Sequence, residues 1–230
     1  MRILARRIGH RGLAAHAPEN TLAGIRRAAE FGLRWIEIDI RMSAGNIPVL
    51  SHDASLMRCG GAGARVKTAT AEKLGAIPVA CGFSQFRHEC MPSLAAAFQL
   101  SRELNLGIVA EIKPDKNRET AAVRAVGDLA HLAPRDIIIS SFSARVLMEA
   151  KHLLPAIPRA LNYNRADGGV FALLKKTGAV NLHCGVQSGK RAMQTAADSG
   201  YGVYCFTADD AKTARRVFAA GARGVFTNTG

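Results

Sequence analysis

Nowhere does this sequence hold an apolar run approaching the roughly 20 residues that a membrane-crossing helix needs. Stable membrane insertion is therefore not expected. The opening residues, Met1-Arg2-Ile3-Leu4-Ala5-Arg6-Arg7-Ile8-Gly9-His10, are interrupted by arginines and contain no apolar core, which argues against a secretory signal. Aromatic residues are scarce, at 6% with one tryptophan, so no aromatic cluster marks a lipid-surface anchor. Internal repeats and low-complexity tracts are missing too, which sets aside solenoids and disordered arrays. The five cysteines (Cys59, Cys81, Cys90, Cys184 and Cys205) are odd in number, scattered, and form no CxxC pair. Reduced thiols in a cytoplasmic protein are expected in preference to a disulfide or zinc framework.

What the chain does have is apolar content and basic charge. Its 230 residues, 48% apolar and 21% charged, suffice for one substantial core and are read as one domain over 1–230. The formal net charge is +13, and a field of that sign attracts anions. The bases are dispersed, as at Arg26, Arg27, Lys175, Lys176, Arg215 and Arg216, where they read as solvated helix faces. No basic run with interleaved aromatics occurs, so no specific nucleic-acid partner is expected. Composition assigns no oligomeric state.

Short β-branched runs alternate with helical patterns along the chain. Strands are expected at about 4–10, 35–40, 107–112, 137–140, 158–161, 180–183, 202–206 and 224–227, with a short extended return at 46–51. Helices are expected at about 20–31, 93–104, 118–131, 144–153, 170–177, 189–199 and 211–220. Gly32 is placed to end the first helix in the left-handed conformation. Residues 54–90, with Gly60, Gly61 and Gly63 near their start, break the alternation and read as a small insertion, helical near 71–74. Eight strands joined by seven connections indicate an α/β closed parallel (β/α)8 barrel of the TIM type. The usual closing helix after the last strand is absent from the pattern. An open doubly wound sheet is the alternative, but it usually has fewer strands at this length.

In such barrels the chemistry sits at the carboxyl-terminal ends of the strands. Polar residues of this chain recur there: His10 and Arg11 after the first strand, Glu37 and Asp39 on the second, His52 and Asp53 after the return, Glu111 and Lys113 on the next. Residues two apart on a strand share a face, so Glu37 projects with Asp39 while Ile36, Ile38 and Ile40 project oppositely. Glu111 and Lys113 likewise share a face. Adjacent strands then bring three carboxylates together, a repulsive arrangement that a hard divalent cation relieves, and all-oxygen ligation favours Mg2+ or Ca2+. A lone Glu-x-Asp would read as an ordinary salt-bridge pair; the neighbouring Glu111-x-Lys113 and two histidines shift the balance. His88, His131 and His152 read as surface or helix residues. His16 and His183 are left as residues that could line the pocket rim.

These residues fall in blocks that resemble the glycerophosphodiester phosphodiesterase family. The blocks are His10-Arg11-Gly12, Pro18-Glu19-Asn20-Thr21, Ile36-Glu37-Ile38-Asp39, Pro48-Val49-Leu50-Ser51-His52-Asp53, Met91-Pro92-Ser93-Leu94, Glu111-Ile112-Lys113 and Ser140-Ser141-Phe142, in the family's order and across nearly the whole chain. The resemblance implies a (β/α)8 barrel with an insertion after the His-Asp pair, here about 54–90. It implies cleavage of small-molecule glycerophosphodiesters to glycerol 3-phosphate and an alcohol, with one divalent cation. By the same resemblance His10 and His52 are the acid–base pair, Glu37, Asp39 and Glu111 the metal ligands, and Arg11 and Lys113 the phosphate-binding positions. Glu19 is read as capping the first helix or ordering the site loop. Phe142, His183 and Phe206 are pocket candidates. Three places depart from the family pattern: 59–63 lacks its Thr and Asp, Phe206-Thr207 stands for a frequent Trp-Thr, and Thr227-Asn228 for a common Thr-Asp.

The expected mechanism has one histidine deprotonating a nucleophile while the other protonates the leaving alkoxide; the resemblance implies that the substrate's own glycerol hydroxyl attacks, giving a cyclic phosphate that water then opens. Three carboxylates, a divalent cation, Arg11 and Lys113 leave the site one net positive charge, which matches a singly anionic phosphodiester. Two rival functions are weighed: a phospholipase on the same barrel, which needs membrane access, and a polyanion-binding protein using the basic charge.

Overall fold

The computed structural model describes residues 4–60 and 63–230. Residues 1–3 of the arginine-interrupted amino terminus and Gly61 of the Gly-rich stretch lie outside them. The elements run β1 (Arg7–Gly9), α1 (Leu22–Glu30), β2 (Trp35–Met42), β3 (Pro48–Leu50), α2 (Met57–Gly60), α3 (Ala71–Gly75), α4 (Leu94–Glu103), β4 (Gly107–Ile112), α5 (Glu119–Asp128), β5 (Ile137–Ser141), α6 (Ala144–Leu153), β6 (Arg159–Tyr163), α7 (Val170–Thr177), β7 (Asn181–Gly185), α8 (Lys190–Asp198), β8 (Gly202–Phe206), α9 (Ala211–Phe218) and β9 (Gly224–Thr227). Among the described residues eight strands pair in parallel around a closed ring, β1-β2-β4-β5-β6-β7-β8-β9 and back to β1, while β3 lies antiparallel on β2. This is the (β/α)8 barrel that the alternation implied, and the open sheet is excluded by the pairing of β1 with β9.

Alternation of side chains separates two apolar layers. Ile36, Ile38 and Ile40 of β2 face outward into the layer shared with the helices. Trp35 of the same strand faces inward, onto Leu4, Ile8, Val109, Ile138, Ala160, Tyr204 and Phe226, which fill the barrel interior. Each fully buried isoleucine contributes roughly 1.5–3 kcal/mol relative to exposure, so turning the strand over by one residue is strongly disfavoured. The first strand is shorter than the expected 4–10. Leu4 is turned into the barrel floor, where its N–H donates to Tyr204 Oη at 2.9 Å instead of joining a ladder.

Helices α1, α3, α4, α6 and α9 carry side-chain caps. Thr21 Oγ1 accepts from Gly24 N–H at 3.1 Å, Ser143 Oγ from Val146 N–H at 3.3 Å, and Asp210 Oδ1 from Thr213 N–H at 2.8 Å, each a contribution of roughly 1 kcal/mol. The cap at Thr21 starts α1 two residues later than expected, because Asn20 adopts a left-handed φ of 56°. Gly32 does take the left-handed turn, with φ 72°. Packing demands the glycine at position 12: Gly12 has φ 86°, and a Cβ there would lie 2.7 Å from the backbone of Gly24. The loop after β1 and the first turn of α1 therefore meet backbone to backbone.

Between β3 and α4 the alternation stops. Residues 54–90 hold α2, α3 and two short 3-10 turns (Val66–Thr68 and Ser84–Phe86). Leu56, Val66, Leu74 and Val79 pack with Val49 and Met91 into a small core of their own. A disulfide joins Cys59 to Cys81. This corrects the expectation of five reduced thiols. The two cysteines are 22 residues apart, but the segment folds back so that Cys81 N–H donates to Cys59 O at 3.1 Å, a juxtaposition no short spacing motif reveals. Cys90, Cys184 and Cys205 are free.

Among the described residues no helix follows β9. The last residues instead reach the end of α1: His16 Nε2 lies 3.1 Å from Thr229 O, and the His16 ring lies 4.4 Å from that of Phe31. Among the described residues no helix is long and apolar enough to cross a membrane.

Candidate active site

Every strand end at the carboxyl-terminal mouth of the barrel contributes to one cavity of about 210 Å3. His10, Arg11, Glu37, Asp39, His52, Glu111, Lys113, Phe142, His183 and Phe206 all line it, so the structure gathers ten of the eleven residues singled out from sequence. The eleventh, Glu19, lies behind Arg11. His16 packs on Phe31 outside the cavity, and His88, His131 and His152 are also outside it.

The carboxylates converge because of register. Asp39 of β2 pairs with Glu111 of β4 across the parallel ladder, and Glu37 sits two residues back on the same face. Carboxylate oxygens of all three lie within 4.8 Å of one another, and all three side chains are buried. Their charges are handled unequally. Burial, aided by the charges of Asp39 and Glu111, pushes the Glu37 carboxyl well above its ordinary range. Burial and the Asp39 charge raise Glu111 to about 7. Burial also opposes ionisation of Asp39, but Lys113 and Arg11 outweigh it and hold Asp39 below the usual carboxylate range. Lys113 Nζ lies 2.5 Å from Glu111 Oε1 and 3.2 Å from Asp39 Oδ1. Burial works against its charge too, yet these acids keep the ammonium protonated above its ordinary pKa.

The donor set fits a divalent cation. It offers oxygens alone, and Glu37 Oε1 is buried without a hydrogen-bond partner among the described residues. A buried carboxylate oxygen left bare is costly unless something positive meets it. Hard oxygen ligands of this kind suit Mg2+ or Ca2+.

Three polar residues not singled out for a role hold the cluster in place. Asn20, in its left-handed turn, donates from Nδ2 to Asp39 Oδ2 at 2.8 Å and accepts Asp39 N–H at 2.9 Å. Asp53 Oδ1 accepts from His52 Nδ1 at 2.7 Å. Arg58, in α2, donates through Nε to Asp53 Oδ2 at 2.7 Å and through both terminal nitrogens to Glu19 at 2.7 Å each. Glu19 in turn accepts twice from Arg11 Nη1, at 3.0 and 3.1 Å. Thr21, not Glu19, caps α1; Glu19 instead lies between Arg11 of the loop after β1 and Arg58. Asn20 stood in the sequence as a helix start and as part of the Pro18-Glu19-Asn20-Thr21 block, without a role of its own, since Asn favours both caps and left-handed turns. Arg58 sits in a segment with no readable period.

His10 is mostly buried after β1. Its Nδ1 lies 2.9 Å from Asn228 Oδ1, and its Nε2 lies 4.0 Å from Glu37 Oε2. Burial, with the neighbouring Arg11 charge, lowers its pKa below the ordinary value. The opposite wall is neutral. Ser140 Oγ, Asn162 Oδ1 and His183 Nε2 are buried without hydrogen-bond partners among the described residues. Burial holds His183 neutral, its pKa pushed down to about 3. Phe142, half exposed, meets Phe206 edge to face with centroids 5.9 Å apart.

A model of the glycerophosphoryl diester phosphodiesterase family matches residues 10–229. The chain is similar to glycerophosphodiester phosphodiesterase 1 of Bos taurus, 34% identical over 52% of this chain but only 37% of that protein. The chain thus matches little more than a third of that relative's length. A glycerophosphodiester phosphodiesterase of Caldanaerobacter subterraneus subsp. tengcongensis is 25% identical over 96% of this chain and 93% of its own. Among solved structures, an Oleispira antarctica phosphodiesterase in complex with the product sn-glycerol-3-phosphate superposes with a TM-score of 0.94, at 27% identity over 98% of this chain and 93% of that one. With a family match spanning nearly all of the barrel and the motif residues meeting at its mouth, the chain belongs to the glycerophosphoryl diester phosphodiesterase family.

Proposed function

We propose that this barrel hydrolyses small-molecule glycerophosphodiesters to glycerol 3-phosphate and an alcohol, and that residues 1–230 act as one catalytic domain. The observation that carries the reading is the convergence of three buried carboxylates, two imidazoles and two cationic side chains on one cavity. Glu37, Asp39 and Glu111 would hold a divalent cation, Mg2+ or Ca2+. When bound, that cation supplies charge and Lewis acidity at the phosphoryl group.

The remaining roles fall to the chain's own side chains. Arg11 and Lys113 grip the phosphate oxygens, Arg11 as a planar fork braced by Glu19 and Lys113 as a compact charge. The two histidines pass protons in the sense P–O cleavage requires: one removes the proton of the attacking hydroxyl, the other donates to the departing alkoxide. If the substrate's glycerol hydroxyl attacks first, a cyclic phosphate forms, and water opens it with the two roles exchanged. The neutral wall of Ser140, Asn162 and His183, capped by Phe142 and Phe206, offers contacts for hydroxyls and carbon rather than for charge.

The test is direct. Purified protein incubated with glycerophosphocholine and Mg2+ or Ca2+ is expected to release glycerol 3-phosphate, and excess chelator is expected to stop it. Full turnover in chelator rejects the cation's part. Absence of turnover with every glycerophosphodiester and either cation rejects the activity.

A further inference from the structure

The departure at Asn228 has a structural counterpart that points to a positioning device for His10. Asn228 is locked by Asp209, in the loop between β8 and α9. Asp209 Oδ1 accepts the Asn228 backbone N–H at 2.6 Å, and Asp209 Oδ2 accepts from Asn228 Nδ2 at 2.8 Å. The same Asp209 Oδ1 also lies 3.3 Å from Thr227 Oγ1. A carboxylate only accepts, so the amide can face it only with its NH2 end. The other end, Oδ1, is thereby turned toward His10 Nδ1 at 2.9 Å. An amide oxygen has no proton to give, so Nδ1 must carry one.

We propose that Asn228 and Asp209 act together as a positioning pair that fixes the neutral His10 ring with its proton on Nδ1 and its lone pair on Nε2, the nitrogen near Glu37 in the cavity. Neither residue touches the reacting atoms; they act through His10. The arrangement differs from that at His52, whose Nδ1 meets the carboxylate of Asp53 directly. With His10 the charge is kept one residue away, behind an amide. The carboxylate chooses which way the amide points, and the amide chooses the tautomer. When His10 takes a proton from a hydroxyl, the new N–H forms on Nε2 and the bond from Nδ1 to Asn228 stays as it was.

The consequence for catalysis rests on the reading of His10 as an acid–base residue; the tautomer does not. Histidine-15N NMR reads the protonation of each ring nitrogen without any turnover, with His10 assigned by comparison with His10→Gln. The native protein is expected to show Nδ1 protonated and Nε2 bare. Asn228→Ala is expected to let the Nε2–H form appear and to lower kcat by roughly tenfold or more, with KM for glycerophosphocholine changed less than about threefold. Asn228→Asp alone sets two carboxylates face to face and is expected to be impaired similarly. Exchanging the two residues, Asp209→Asn with Asn228→Asp, restores a donor facing an acceptor and is expected to recover both the tautomer and most of kcat. A native His10 protonated on Nε2 overturns the proposal, as does an Asn228→Ala protein with unchanged tautomer or unchanged kcat. Failure of the exchanged pair to recover also overturns it. A native protein with the expected tautomer and no turnover would instead sink the proposed activity and leave the positioning pair standing.

Discussion

The two halves of the barrel mouth are built on different principles. The half formed by β1 to β4, the loop after β1 and the segment after β3 is ionic: Glu111, Lys113, Asp39, Arg11, Glu19, Arg58 and Asp53 form a chain of alternating charges, and Glu37 sits beside it, accepting the Arg11 backbone N–H. The half formed by β5 to β8 is neutral, with Ser140, Asn162, His183 and Phe206. On the proposed reading, the difference teaches how one cavity would seat a substrate that is itself divided, with an anionic phosphate at one end and uncharged groups at the other. Charge is concentrated where charge must be recognised, and elsewhere burial keeps even a histidine neutral.

The sharpest way to break the comparison is to remove a charge from the ionic half. Glu37→Gln is expected to lower kcat/KM by about 10³-fold, read in a product assay across cation concentrations. An unchanged cation requirement and rate would count against the carboxylate cluster as the cation site. His10→Ala and His52→Ala come next, each expected to stay folded and to lose roughly 10²-fold or more in hydrolysis of glycerophosphocholine. Near-normal turnover in either variant removes that histidine from the mechanism. A milder perturbation is Arg58→Ala, which strips one partner each from Asp53 and Glu19. Hydrogen bonds to charged groups are worth about 1.5–3 kcal/mol each, but Arg58 is half exposed and solvent screens much of that. A loss of about tenfold in kcat/KM is therefore expected, and steady-state kinetics showing none would detach α2 from the site.

The smallest effects should appear in stability against pH, where the two halves slope in opposite directions. Glu111 is raised to about 7. Between its ordinary value of 4.5 and about 7 the unfolded chain has already released a proton that the folded chain retains. Protein in chelator should therefore lose stability as pH rises through that window, and Glu111→Gln should flatten the loss. His183 is lowered to about 3, so the unfolded chain takes up a proton that the folded chain refuses between 6.5 and about 3. Stability should fall as pH drops through that window, less so in His183→Asn. Urea midpoints measured across pH 3 to 8 in chelator, about the span of the two windows, would show either slope, and a slope of the wrong sign would contradict the burial argument.

How far the molecule was legible in its sequence follows the same division. Period-two alternation in Ile36-Glu37-Ile38-Asp39-Ile40 announced both the strand and the face carrying the acids, because an outward isoleucine and an inward carboxylate cannot be exchanged. The barrel order followed from eight such runs. What the sequence hid was held by contacts without a period. Arg58 reaches two acids, one 5 and the other 39 residues away. Cys59 and Cys81 meet because a loop with its own small core folds back, so counting cysteines misled. Leu4 left the first strand for the floor because an interior position buried it better than a ladder position. Asn228 stood out as a change from pattern, but its meaning required the coordinates of Asp209.

The floor itself bears on traffic. Among the described residues Leu4, Trp35, Ile138, Tyr204 and Phe226 stopper the barrel beneath the cavity, so the vessel has a bottom and opens at the carboxyl-terminal mouth. On the proposed reading, substrate and product would share that threshold, and the phosphate-bearing fragment, held by the cationic pair proposed to draw it in, would be the last to leave.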